Sequence, residues 1–509
     1  MTEKLPHYLN IRNLVTLGIL VMVIGLTACG GGDDEEASKA RSRAVISAGE
    51  IVPAEEVRVA EYLQYYDQFF PEPERDTVGL DLRLGNNIIP IQGGMAWLQI
   101  GLQTKSAQTE LVAPLNLAIV IDRSGSMNAP DKMPYLKQSL AIFLESLNSD
   151  DIVSIVAYSD QAEVLLPSQQ VGYGSWIQQV IDRIQPSGAT NLHAGMMMGF
   201  EEVDRNYDIR RNNRVILLTD GIANRGETDP NEIADDALTY NEKGIYLSTI
   251  GLGLEFNDAL LSELAHQGKG GYTFVDSAEE MDRVFREHVE SLKQRAASDV
   301  KVTIVPSSGI RLIGLTGSEG SPPVNGASIP LWPMSTGDNA VILAQLQVGS
   351  GIAGSRSLAT VELRYFDEFV QRTVTTSQSV RADMAANQSS YDPTWDLEVF
   401  RNVTIQRTAE GMQEIDRLFD ARQYEAAWRL AIDLEQDIFE VARLTGDSQM
   451  LADAELLQKY QQTLANAVWQ TENRAPYSDE TDTNTSDGQR PYRGDTSTPI
   501  PDMPEVEVN

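Results

Sequence analysis

The chain has 509 residues, 42% of them hydrophobic, which is too long for one core and predicts about two to four domains. Its 74 acidic against 40 basic residues give a net charge of −34, and no basic stripe is available to neutralise phosphates, which argues against nucleic acid as a partner. A phosphate-cradling Gly-x₄-Gly-Lys loop is absent, so the chain does not itself read as an ATPase.

At the N-terminus, Lys4 and Arg12 precede an apolar stretch, Leu14–Leu26, followed by Leu26-Thr27-Ala28-Cys29. That stretch is 13 residues long, short of the roughly 20 that a bilayer-spanning helix needs. Cys29 is the only cysteine, so neither an internal disulfide nor a thiolate metal site is possible. Residues 1–28 resemble a bacterial lipoprotein signal peptide, which implies cleavage before Cys29 and a lipid on its thiol. The alternative is an N-terminal membrane anchor. Gly30, not an aspartate, follows the cysteine, which favours the outer membrane in a cell that has two. Residues 29–50, with Asp33-Asp34-Glu35-Glu36, read as a solvated acidic tether.

Residues 51–112 include the aromatic-rich segment Val57–Phe70 and two extended-looking stretches, Leu80–Leu84 and Met95–Leu102. From 113 to 295 the texture changes. Leu115–Ile121, Ile152–Ala157, Val215–Leu218 and Tyr246–Ile250 are short continuous apolar runs, the pattern of strands buried on both faces. Ala162–Leu166 reads as a hairpin strand at a sheet edge. Between the runs, Leu136, Leu140, Phe143, Leu144 and Leu147 share one helical face. Trp176–Ile184, Asn191–Val203, Pro230–Glu242, Asn257–His266 and Ala278–Leu292 supply further helices. Alternation of this kind predicts an α/β fold with a doubly wound, mostly parallel sheet, whose ligands bind beyond the carboxyl ends of its strands.

Those ends carry an unusual set of oxygen donors. Asp122, Ser124 and Ser126 form an Asp-x-Ser-x-Ser signature after the first apolar run. Thr190 follows in Gly188-Ala189-Thr190-Asn191, and Asp220 in Thr219-Asp220-Gly221. Hydroxyl and carboxylate oxygens are hard ligands, suited to Mg²⁺, or to Mn²⁺ or Ca²⁺, rather than to Zn²⁺. In this order the pieces resemble the metal-ion-dependent adhesion site of von Willebrand factor A domains. The resemblance implies a Rossmann-like fold in which Ser124, Ser126 and, in the ligand-competent state, Thr190 bind the ion directly. It implies that Asp122 and Asp220 act largely through water, leaving a position for a carboxylate from a protein partner. Val57–Phe70 and the region after the central domain resemble the bacterial YfbK-type family of lipidated von Willebrand A proteins.

Residues 296–382 alternate apolar and polar positions, as at Val300, Val302 and Ile304, at Ile342, Ala344, Leu346 and Val348, and at Val361, Leu363 and Tyr365. An antiparallel β region is expected there, which Leu80–Leu84 and Met95–Leu102 could complete. The central domain would then be inserted into a β-sandwich. Residues 390–470 show helical spacing, with a break at Gly446-Asp447. Ala421–Ala431 resembles the helix-turn-helix of tetratricopeptide repeats, but no 34-residue period is visible, so a small helical hairpin or bundle packing on the sandwich is expected rather than a repeat array. Residues 471–509 read as a disordered acidic tail.

Three function classes follow. The first is a lipid-anchored protein of the cell envelope that binds a protein partner through a Mg²⁺-type ion in an adhesion or scaffolding role. The second is an accessory subunit of a metal-chelatase-like or chaperone ATPase machine, which the signal peptide argues against. The third is a metal-assisted hydrolase, for which no general base is visible. His7, His193, His266 and His288 show no zinc-site spacing, so a binding protein is expected rather than an enzyme.

Overall fold

The structure, a computed structural model, describes residues 37–106, 114–130, 132–174, 176–275, 295–316, 326–386 and 395–472. Cys29 and the signal segment, the helix expected over Ala278–Leu292, and the tail from residue 473 lie outside the described residues.

The tether expected up to residue 50 is, from Ala37 onward, a packed helix, α1 (Ala37–Ser47). Its polar residues are buried because each finds a partner from a distant part of the chain. Lys39 pairs with Asp453 at 3.1 Å and Arg41 with Glu56 at 2.8 Å, while Ser42 accepts a hydrogen bond from Tyr62 at 2.6 Å. A short helix, α2 (Val59–Gln64), then places Tyr62 and Leu63 in the same core. The chain continues into strands β1 (Val78–Leu84), β2 (Ile88–Pro90) and β3 (Gly94–Thr104).

The central α/β unit runs through β4 (Leu115–Asp122), α3 (Met133–Glu145), β5 (Ile152–Tyr158), β6 (Ala162–Gln170), α4 (Ile177–Asp182), α5 (Leu192–Asp204), β7 (Asn212–Thr219), α6 (Pro230–Glu242), β8 (Ile245–Leu252), α7 (Asp258–Gln267) and β9 (Lys269–Val275). The sheet order is β6-β5-β4-β7-β8-β9, parallel except for the edge hairpin β5–β6. The expected mostly parallel sheet with one antiparallel edge strand is what the structure has. Each face is covered by helices, and β4 and β7 are buried along their whole length. Strand β9 has no counterpart among the expected apolar runs. Its Gly270 runs so close to β8 that a Cβ would lie 1.9 Å from the Leu247 carbonyl oxygen, so glycine is required where an apolar side chain would have marked the strand.

Strands β10 (Arg295–Pro306), β11 (Ile310–Leu315), β12 (Ala327–Pro330), β13 (Met334–Ser335), β14 (Asn339–Val348), β15 (Gly354–Asp367) and β16 (Arg372–Ala385) follow. They do not form a region by themselves. One sheet has the order β1-β3-β14-β11 and the other β12-β10-β15-β16-β2, so strands from both sides of the α/β unit share one sandwich. Ile100 of β3 sits opposite Ile342 of β14, and both enter a core with Leu98, Val302 and Val361. The α/β unit is therefore inserted between β3 and β10.

Three long helices close the fold: α8 (Leu397–Asp420), α9 (Tyr424–Thr445) and α10 (Ser448–Glu472). Gly446 ends α9 in the left-handed region at φ 74°, and the carboxylate of Asp447 accepts from the Gln449 and Met450 amides to start α10. Within α8, Asn402 is fully buried and donates to Gln68 at 3.0 Å and Gln99 at 2.9 Å, which ties the helices to the segment after α2 and to β3 of the sandwich. Among the described residues no helix is long and apolar enough to cross a membrane.

Candidate metal centre

Asp122 is the last residue of β4, and Thr219 the last of the adjacent parallel strand β7. Both strands therefore deliver their following loops to the same end of the sheet. The Asp122 carboxylate is fully buried; one oxygen accepts the Ser124 amide at 2.7 Å and the other the Thr219 hydroxyl at 2.7 Å. Ser124 and Ser126 lie with their hydroxyl oxygens 3.0 Å apart, and Ser126 donates to Asp220 at 2.7 Å. Thr190 joins them from a third loop. A Cβ on Gly221 would lie 3.6 Å from the Thr190 hydroxyl oxygen and 3.7 Å from that of Ser126, so the two hydroxyls flank the same glycine. All five expected residues come together.

Backbone hydrogen bonds lace the three loops. Gly125 donates to the Gly188 carbonyl at 3.0 Å, and Ser187 to that of Arg123 at 2.7 Å. The Thr190 amide donates to the Asn224 side chain at 2.9 Å, and the Asn224 amide returns to the Thr190 carbonyl at 3.1 Å. Gly188 takes φ +85°, and a side chain there would meet Asp160 at 2.4 Å, so the turn that presents Thr190 depends on glycine. Asp122, Ser124, Thr190 and Asp220 are buried and Ser126 is exposed, so the cluster opens to solvent on the Ser126 side.

Burial pushes the Asp122 carboxyl up to about 6, against the bonds from Ser124 and Thr219 that hold it down, and the neighbouring Asp220 adds to the rise. Among the described residues no cation pairs with Asp122, whereas Asp220 receives the Lys132 ammonium at 2.6 Å. The donor set is oxygen only, and among the described residues no three or more His, Cys, Asp or Glu side chains are grouped so as to hold a metal ion by themselves. An ion held here would thus depend on the hydroxyls as much as on the carboxylates. A desolvated carboxylate lacking a cation, beside converging hydroxyls, fits a small hard dication. The His193 ring meets Asp236 at 2.8 Å, on the helix side of the cluster.

Sequence reasoning passed over Thr219, Asn224 and Lys132. Thr219 was within reach, because a hydroxyl at the end of a buried strand beside Asp220 has few partners other than the neighbouring strand end. Lys132 carries no local signal. Its contact arises only because the start of α3 folds back over the loop after β7.

Residues 116–287 match the von Willebrand factor type A domain family. The chain is 27% identical to the uncharacterised protein YfbK of Escherichia coli strain K12 over 279 residues, 53% of this chain and 48% of that protein. It is 23% identical to the uncharacterised protein sll0103 of Synechocystis sp., over 60% of this chain and 74% of that protein. A solved von Willebrand factor type A structure from Catenulispora acidiphila superposes with a TM-score of 0.53 at 16% identity, covering 75% of this chain and 91% of that one, a likeness of fold. The α/β unit at the centre of this chain therefore belongs to the von Willebrand factor type A family, within a protein similar to YfbK over about half of its length.

Proposed function

We propose that the protein is a lipid-anchored, extracytoplasmic binding protein that grips a protein partner through a divalent cation of the Mg²⁺ type. Ser124, Ser126 and Thr190 would hold the ion through their hydroxyls, with Asp122 and Asp220 acting through water. The bound ion supplies an electrophilic centre that an acidic side chain of the partner can complete. Two carboxylates buried at one end of the sheet leave much of the ion's field unquenched, because the remaining donors are neutral. The observation that carries this reading is the convergence of five oxygen-bearing side chains from three loops, with Asp122 desolvated and no cation paired to it among the described residues. Domains of the von Willebrand A family are typically protein-interaction modules with a metal at this place, which supports it.

A binding role suits the surroundings of Ser124, whose hydroxyl meets that of Ser126 rather than a base. Anchoring rests on Cys29 and the segment before it. The test uses the mature protein in two experiments, calorimetric titration with Mg²⁺ and capture of envelope proteins in Mg²⁺ and in EDTA. Capture that needs Mg²⁺ and disappears in Asp122→Ala and Ser126→Ala is expected. Capture indifferent to EDTA and to both substitutions would place the interaction on another surface.

A further inference from the structure

We propose that Lys132 is a resident counter-cation of the site, holding Asp220 when no metal is bound and setting how tightly a divalent ion is taken up. The proposal rests on the reading that the five converging residues bind such an ion.

Lys132 lies at the start of α3, where its backbone is fixed from both sides: its amide donates to the Ala129 carbonyl at 3.2 Å, and its carbonyl accepts from Leu136 at 2.9 Å. From there its side chain crosses to the loop after β7. Its ammonium donates to Asp220 at 2.6 Å, with 18% of the lysine side chain and none of the aspartate side chain exposed. Gly253 lines the route, a Cβ there lying 3.8 Å from the lysine Cε. Both oxygens of Asp220 are thereby engaged by the chain's own groups, one by Lys132 and the other by Ser126. Two arginines of neighbouring loops pair elsewhere, Arg123 with Glu163 at 3.2 Å and Arg225 with Asp160 at 3.5 Å.

An arriving dication must either share Asp220 with an ammonium or displace it. With the Asp220 side chain fully buried, two like charges on its carboxylate repel more strongly than they would in open water. The same ammonium protects the metal-free protein, because a buried Asp220 without it would be uncompensated. Lys132 therefore weakens metal binding and stabilises the metal-free form, so that the site loads only where divalent ions are plentiful.

The full mature protein and its Lys132→Met and Lys132→Arg variants are titrated with Mg²⁺ by calorimetry and melted with and without it. Lys132→Met, which removes a like charge beside the ion, should bind Mg²⁺ about tenfold or more tighter than wild type. It should melt lower without metal and converge with wild type at saturating Mg²⁺, and Lys132→Arg should restore wild-type affinity. A merely structural lysine would not tighten metal binding when removed. Equal or weaker Mg²⁺ affinity in a cooperatively folded Lys132→Met overturns the proposal. Should that variant fail to fold, reductive methylation of the wild-type protein decides: Mg²⁺ should speed labelling of Lys132, and an unchanged rate overturns the proposal. Absence of Mg²⁺ binding in wild type and variants alike removes the metal reading itself, and this proposal with it.

Discussion

Thr219 donates its hydroxyl to Asp122 across 2.7 Å, bridging the ends of two neighbouring parallel strands. The bond fixes which oxygen of Asp122 remains turned toward Ser124 and the open side of the cluster. Partners that orient a metal site from behind are typically worth about 10- to 100-fold in metal affinity. Thr219→Val, which keeps the shape and removes the hydroxyl, should therefore weaken Mg²⁺ binding by about that factor, read by calorimetric titration. Unchanged affinity would show that Asp122 is held well enough by the Ser124 amide.

Asp122 should also give the metal-free protein an acid-side preference. The folded protein holds this proton up to about pH 6, whereas the ordinary carboxyl value is 3.8. The folded form thus binds the proton more tightly than the unfolded chain does. Its contribution is most favourable below about pH 4, is lost as pH rises to about 6, and is level above that, amounting to ~3 kcal/mol. Melting temperature followed from pH 4 to 7.5 with metal removed should fall over this window, and Asp122→Asn should flatten the fall. Added Mg²⁺ should raise the wild-type melting temperature near neutrality and leave Asp122→Asn nearly unmoved.

Asp258, at the start of α7, is the buried anchor of the N-terminal segment. It pairs with Arg58, lies 3.7 Å from the Arg41 guanidinium, and accepts the Tyr272 hydroxyl. Asp258→Ala removes the partner that Arg41 and Arg58 share, while Arg41 keeps Glu56 and Arg58 keeps Glu61, so the loss should be about 1–3 kcal/mol. Denaturant unfolding should show that loss, and limited proteolysis should cut earlier within α1. A change below about 1 kcal/mol would mean that the apolar packing of α1 and α2 suffices without the pair.

Cys29 is the attachment point in the proposed anchoring. Cys29→Ser should move the protein from the membrane fraction to the soluble fraction or leave an unprocessed precursor, as read by fractionation and mass spectrometry. A wild-type mature N-terminus that retains residues upstream of Cys29 would count against lipidation.

The sequence by itself determined the kind of fold and the members of the candidate site. Strands buried on both faces must be continuous apolar runs, so Leu115–Ile121 and Val215–Leu218 declared a parallel sheet. The loops after them carried Asp122, Ser124, Ser126 and Asp220 in an order that only a shared strand end would use. The Gly446-Asp447 break was equally legible, since a left-handed cap and an N-terminal carboxylate are local devices. What the tertiary structure alone decided is which distant groups meet. Ala37–Ser47 reads as polar tether because its lysine and arginines are satisfied by Glu56 and Asp453, partners that no local pattern can show. Strand β3 pairs with β14 across the whole inserted domain; alternation marked both as strands that could share a sheet, but their register was fixed only by the fold. Lys132 is an ordinary helix-start lysine until the fold lays it on Asp220. Periodicity reports the conformation and buried face of a segment, but charge compensation is set by packing between segments, and that is decided only when the chain has folded.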